Sequence, residues 1–217
     1  MKTLNEIHRR KVERPEKILQ FGEGNFLRAF ADYLVDVMNE QGLFDGSVVI
    51  CQPIKAGLCD LINEQNGIYT LMLRGRENGE ATEKTRVIKS VSRCIDPYRD
   101  FNALLEIARS EDLKIIISNT TEAGIVFSEA DKFEDTPPAS YPGKLTRFLF
   151  ERFTHFKGSD ESALYLLPVE LIDNNGTELK KCVKQFADLW NLGKDFSDWL
   201  DKCSFSNTLV DRIVTGH

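Results

Sequence analysis

In residues 17–30 a short, mostly apolar run, Ile18-Leu19-Gln20-Phe21, enters Gly22-Glu23-Gly24 and passes directly into a helical pattern. Phe26, Phe30, Tyr33, Leu34, Val37 and Met38 recur at helical spacing, so one face of that helix is expected to be apolar. A strand, a glycine turn and a helix in that order bring unpaired backbone amides and a helix N-terminus to one point, which suits a pyrophosphate. Glycine is needed because a Cβ would obstruct both the tight turn and the close approach of a phosphate. The full dinucleotide fingerprint asks for a third glycine at position 27, where this chain has Leu27, so a plain turn stays open as the alternative. The place of the motif, after a first strand near the N-terminus, favours a dinucleotide loop.

Composition narrows the function classes. A net charge of −6 argues against a sequence-independent grip on nucleic acid. No apolar run approaches the ~18 residues of a membrane span, and the charged stretch MKTLNEIHRRKVERPEK lacks the apolar core of a secretory signal. Cys51, Cys59, Cys94, Cys182 and Cys203 contain no C-x-x-C pair and read as free thiols of a cytoplasmic protein. No histidine stands near a second ligand at metal spacing, so no metal site is expected.

Farther along, Val48-Val49-Ile50 reads as a second buried strand that runs out into Cys51, Gln52, Pro53, Ile54 and Lys55. A doubly wound dinucleotide fold places an Asp or Glu there for the adenosine ribose. None is present, so NAD over NADP cannot be read from this position; Gln52 is a candidate for a ribose hydroxyl and Lys55 for a 2′-phosphate. The runs 69–73 and 86–91 read as strands of a hairpin around the polar turn 76–80. A helix over 100–110, with Phe101, Leu104, Leu105 and Ala108 inward, leads to the β-branched run 113–117 as a central strand.

That strand ends in Ser118-Asn119-Thr120-Thr121-Glu122-Ala123-Gly124, polar groups at a strand's carboxyl end, where open α/β sheets bind ligands. The same residues also read as a Ser/Thr turn with Asn119 bonding its own backbone. Residues 130–141 read as a loop. The helix after Pro142-Gly143 is expected to bury Leu145, Phe148, Leu149 and Phe153 and to leave Lys144, Arg147, Glu151 and Arg152 solvated, Arg147 paired with Glu151. A strand over 163–167 ends in a second polar cluster, 168–176. A helix with Leu179, Val183, Phe186, Leu189 and Trp190 on its apolar face follows, then a short one over 196–200. The unburied apolar run around Asp211-Arg212 reads as the first residues of a further domain.

Several of these stretches together resemble the long-chain mannitol dehydrogenase family of polyol and sugar-acid oxidoreductases. They are Gln20-Phe21-Gly22-Glu23-Gly24-Asn25-Phe26-Leu27-Arg28-Ala29-Phe30, the 118–124 segment, Ser140-Tyr141-Pro142, Lys144-Leu145-Thr146-Arg147 and Leu149-Phe150-Glu151-Arg152-Phe153. Glu170-Leu171-Ile172-Asp173, Asn175-Gly176 and Thr208-Leu209-Val210-Asp211-Arg212-Ile213 complete the likeness, which spans nearly the whole chain in the same order.

The resemblance implies an α/β fold: a Rossmann-like, doubly wound, mostly parallel sheet with a hairpin insertion, without the family's helical C-terminal domain. It implies an NAD-binding domain over residues 1–205, with 206–217 starting the linker to a catalytic domain. NAD is then expected against Ile18, Leu19, Gln20, Phe21, Gly22, Glu23, Gly24, Asn25, Phe26, Leu27, Arg28 and Ala29, with Asn119 facing them. The implied reaction is metal-independent hydride transfer between NAD and a small six-carbon sugar acid. Its catalytic lysine, with partner Asn and His, is expected beyond residue 217, so the chain alone is expected to bind NAD weakly and to turn over nothing. Polyol members carry Asp-Asn where this chain has Glu170-Leu171, which points to the sugar-acid branch. An NAD(H)-sensing module without catalysis fits the same residues. A methyltransferase fits less well, since it favours an acid where Gln20 stands.

Overall fold

The computed structural model of the chain describes residues 12–120, 124–210, 213 and 214. Its centre is β1 (Glu16–Phe21), flanked in parallel by β2 (Ser47–Cys51) and β6 (Ile115–Ser118). Alternate side chains of β1 leave on opposite faces, as the period of a strand requires. Leu19 and Phe21 join one core layer with Val49 and Ile116, and Ile18 joins the other with Val48 and Ile50. Every residue of β2 is buried, which explains its unbroken apolar run: helices cover both faces of this parallel sheet.

The sheet is completed by β5 (Val91–Ile95), β7 (Tyr165–Pro168) and β8 (Ser204–Phe205), in the order β5-β2-β1-β6-β7-β8, with every pair parallel. With the separate hairpin of β3 (Tyr69–Glu77) and β4 (Glu80–Ile88) set aside, this is the doubly wound order 3-2-1-4-5-6. The hairpin turns at Asn78 (φ 53°) and Gly79 (φ 86°), the left-handed pair that a two-residue turn demands. The helices are α1 (Asn25–Ala29), α2 (Ala31–Glu40), α3 (Cys59–Glu64), α4 (Phe101–Ala108), α5 (Tyr141–His155), α6 (Asn175–Leu189) and α7 (Lys194–Leu200). Caps mark two of the starts: Asp100 accepts from the Ala103 amide and Ser140 from the Gly143 amide.

Four expectations need correction. The helix after the glycine turn is two helices, broken at Phe30 (φ −116°, ψ −75°). Its buried side is Leu27, Ala31, Asp32, Val35 and Asp36, while Leu34 is exposed, because the hairpin packs on this helix with polar groups that need acceptors. Residues 86–91 do not form one strand: β4 ends at Ile88, and β5 begins at Val91 in the main sheet. Two of the four charged residues of α5 expected in solvent are buried. Arg152 donates to the carbonyls of Ala108, Ser110, Leu113 and Ser162, and Lys144 is fully enclosed. Arg147 lies over the ring of Phe133 at 4.1 Å, and Glu151 pairs with Arg109 rather than Arg147. Finally, Leu189 is exposed, because α6 turns its inner face through Cys182, Val183, Phe186 and Ala187.

The helix α3 and the short strand β8 carry too few periodic residues to be read beforehand. All five cysteines are buried and free. Among the described residues no helix is long and apolar enough to cross a membrane. Thr121, Glu122, Ala123, Asp211 and Arg212, named above, lie outside the described residues.

Candidate functional site

The strand order reverses between β1 and β6, so the crevice of this fold opens where those two strands end. Gly22 follows β1 there, its amide donating to Cys51 O at 3.0 Å, while the Asn119 amide donates to Phe21 O at 3.0 Å. Gly22 has φ +125°, and a Cβ on it would stand 2.8 Å from Asn119 O. Both the conformation and the close approach of β6 therefore require glycine. The Asn119 side chain donates to Val169 O at 3.0 Å rather than to its own backbone, which ties the ends of β6 and β7 together.

Gly24 is different. It caps α1 with ordinary dihedrals (φ −65°, ψ 164°), and a Cβ built on it meets nothing within 4 Å. The space before it is open, and the amides of Asn25, Phe26 and Leu27 have no intrahelical acceptor, as at any helix start. An open approach bordered by free amides fits a pyrophosphate, and a side chain at Gly24 would fill it.

Not all of the expected residues can offer a side chain. Ile18, Leu19, Gln20, Phe21, Leu27 and Ala29 are buried, so they shape the turn from beneath. Phe26 packs against Phe30 with ring centroids 5.7 Å apart, and exposed Asn25 accepts from Arg28 Nη2 at 2.6 Å. Glu23 folds inward to 8 % exposure, and loss of hydration holds its carboxyl above the usual carboxylate range.

Beneath the turn lies a polar cluster that the sequence did not disclose. Gln20 Nε2 donates to Gly22 O at 2.9 Å, which braces the turn from below. Fully buried Asp32, on α2, lies 3.0 Å from the Tyr69 hydroxyl of β3, and its backbone carbonyl accepts from Ser90 Oγ at 2.7 Å. Burial pushes the Asp32 carboxyl up to about 7. Arg28 lies over the Tyr69 ring at 5.4 Å. An isolated Asp on a helix following a glycine turn carries no pattern that would have singled it out.

On the other wall, buried Glu170 accepts from Ser118 Oγ (3.1 Å), the Thr120 amide (3.1 Å) and Thr120 Oγ1 (3.0 Å). Asn175 Nδ2 donates to Glu170 O at 3.1 Å, and Asn175 Oδ1 accepts from the Thr208 amide at 2.9 Å, so residues 206–208 are held against α6. Leu171, next in sequence, is 67 % exposed.

Two candidates at the end of β2 part company. Gln52 spends its amide on the following loop, donating to Ile54 O at 2.9 Å and accepting from the Cys59 amide at 3.2 Å, which removes it as a ribose partner. Lys55 is exposed. Lys144, which was expected in solvent, lies 5.1 Å from the Tyr98 ring and donates to Ala139 O at 2.6 Å; burial lowers it to about 8. It has the pKa of a base, but it is sealed from any substrate.

A family model described as the mannitol dehydrogenase Rossmann domain matches residues 16–217. The altronate oxidoreductase of Bacteroides thetaiotaomicron is 46% identical over 217 residues, covering 100% of this chain and 45% of that protein. That of Bacillus subtilis is 48% identical over 218 residues, with 100% and 45% covered. The chain thus spans about half the length of the curated relatives it matches. Among solved structures, Pseudomonas fluorescens mannitol 2-dehydrogenase, in a ternary complex with NAD and D-mannitol, superposes with a TM-score of 0.76 at 22% identity, over 94% of this chain and 43% of that one. A substrate-free D-sorbitol dehydrogenase superposes at 0.70 and 18% identity, over 88% and 41%. At these identities the two structures establish the fold.

Proposed function

Since the chain belongs to the mannitol dehydrogenase family through its Rossmann domain, we propose that it is the NAD(H)-binding part of an oxidoreductase interconverting D-altronate and D-tagaturonate. The observation that carries this reading is the turn at Gly22 and Gly24: it stands at the reversal of strand order, with open space before Gly24 and free amides at the start of α1. These amides would hold the pyrophosphate, while Gln20, bonded to Gly22 O, and the approach of Asn119 O keep the turn in place. Nicotinamide, when bound, supplies hydride acceptance and donation. The alcohol proton needs a base, and Lys144 is enclosed, so the base is assigned to the part of the relatives that this chain does not span.

The sugar-acid substrate rests on relatives named altronate oxidoreductase at 46% and 48% identity. Leu171 supports it as well, since its apolar side chain cannot hold a substrate oxygen where the polyol branch is expected to use Asn. Buried free thiols agree with a reducing, cytoplasmic setting.

Titrating the chain with NADH, followed by nucleotide fluorescence, tests the reading. Saturable binding together with no NADH formation from NAD⁺ and D-altronate is the expected result. Absence of binding at millimolar NADH overturns the cofactor assignment, and turnover by the chain alone overturns the placement of the base.

A further inference from the structure

The carboxyl end of β2 lacks the acid that a dinucleotide fold uses to accept from the adenosine 2′-hydroxyl. Residues 51–58 carry no carboxylate, and Gln52 is committed to the loop itself. A carboxylate nevertheless stands at that place, delivered from the neighbouring turn. Glu23 Oε1 lies so close to the loop leaving β2 that a Cβ on Gly57 would come within 2.2 Å of it. The Leu58 amide and Glu23's own amide both act on this carboxylate. Asp96 follows β5, the strand that pairs with β2 through Cys51 and Ile95, and its charge also acts on Glu23.

Resting on the NAD(H) reading above, we propose that Glu23, supplied by the glycine turn, replaces the missing acid of β2 and selects NAD(H) over NADP(H). A hydroxyl at the 2′ position can donate to a carboxylate, whereas a phosphate there sets up to about two negative charges, spread over three oxygens, against an acid that is already largely buried. The cations nearby do not offset this. Arg28, whose charge does reach Glu23, spends its hydrogen bond on Asn25 and stacks on the Tyr69 ring, while Arg99 is directed to Asp60 and Asp96. The one cation of the loop itself, Lys55, stands in solvent, where its attraction is screened. The selecting charge thus sits on the turn that also holds the pyrophosphate.

The test compares NADH and NADPH dissociation constants, by nucleotide fluorescence at neutral pH, for the chain and for Glu23→Gln. Glutamine keeps the shape that packs on Gly57 but removes the charge. The wild-type chain is expected to bind NADH at least about tenfold more tightly than NADPH, and Glu23→Gln to shrink that ratio about tenfold, mainly by gaining NADPH. Should the variant fail to fold, judged by its melting transition, the wild-type ratio alone decides, because equal affinity for the two nucleotides overturns the proposal. So does a folded Glu23→Gln chain with an unchanged ratio while NADH still binds. Binding of neither nucleotide by the wild-type chain overturns the NAD(H) reading itself and the assignment of Glu23 with it.

Discussion

The Tyr69 hydroxyl lies 3.0 Å from Asp32 Oδ2 although it already has an acceptor, Arg28 O, at 2.7 Å. A phenol carries one proton, and a carbonyl can only accept. If Tyr69 donates to Arg28 O, the contact with Asp32 is a hydrogen bond only when the carboxyl is protonated. Asp32 Oδ1 is also buried without a partner, which fits a neutral acid better than a carboxylate. Burial is the largest influence on its pKa and raises it; Tyr69 on β3, Arg28 on α1 and Gln20 on β1 face it from other elements and pull it down, and Asp36 one turn along pushes it up.

A stability profile follows from this. The folded chain holds the Asp32 proton up to about pH 7, while an unfolded Asp releases it near 3.8. Between those values the native state binds the extra proton, so this group's contribution is complete below about pH 4 and is lost as pH rises to about 7. The whole swing is on the order of 4 kcal/mol. Asp32→Asn cannot ionise, and its amide can donate to Tyr69. Urea unfolding at pH 5 and pH 8 should show the variant gaining on the wild type at the higher pH; parallel profiles would refute the neutral acid.

The two glycines of the turn should separate folding from binding. Gly22→Ala forces a left-handed residue and a contact 2.8 Å from Asn119 O, which should cost about 2 kcal/mol or more and lower the melting temperature. Gly24→Ala meets nothing within 4 Å of the protein, so its melting should be unchanged to within about 0.5 kcal/mol. Its NADH affinity should nevertheless fall at least about tenfold, a loss of about 1.4 kcal/mol, because the methyl group enters the approach to the amides. An unaltered NADH titration for Gly24→Ala would place the pyrophosphate elsewhere.

Glu170 is expected to matter for the shape of the crevice. Glu170→Ala strips acceptors from Ser118 Oγ, the Thr120 amide and Thr120 Oγ1, all buried, at a cost of about 3 kcal/mol. Glu170→Gln keeps one acceptor oxygen and should recover part of that loss. Chemical denaturation midpoints order the three proteins; equal midpoints for Ala and wild type would show that this acid holds nothing.

Lys144 predicts the opposite slope at alkaline pH. Burial lowers it to about 8 from 10.5, so from pH 8 to pH 10.5 the unfolded chain binds the extra proton and stability rises with pH. Lys144→Met should remove that rise and leave NADH affinity within about twofold, since the ammonium is sealed from the crevice. An alkaline rise that persists in the variant would assign it to another group.

The strands were legible where a single face or both faces are buried, because an apolar run reports that directly: Val48-Val49-Ile50 and Ile115-Ile116-Ile117 are examples. The hairpin was legible from Asn78-Gly79, whose chemistry allows two left-handed residues. The strand–glycine–helix turn at Gly22 and Gly24 was legible because the physics of a helix start is local. Lys144 and Arg152 were misplaced, and Asp32 was missed, for one shared reason. Each is a polar side chain buried against partners from distant segments, such as Tyr69 of the hairpin or the carbonyls of Ala108 and Leu113. Hydrophobic periodicity assigns such residues to the surface and has no term for a partner elsewhere in the chain.

The contact between Gly22 and Asn119 sets a timetable for biosynthesis. As the polypeptide leaves the ribosome, the glycine turn emerges early, but the strand that confines it comes from the middle of the chain. Until β6 has been made and docked, Gly22 has no Asn119 carbonyl against it and the turn lacks that wall. The final shape of the turn is therefore acquired late, in one step with closure of the central sheet, and a nascent chain halted before β6 would carry the whole motif without the wall that confines it.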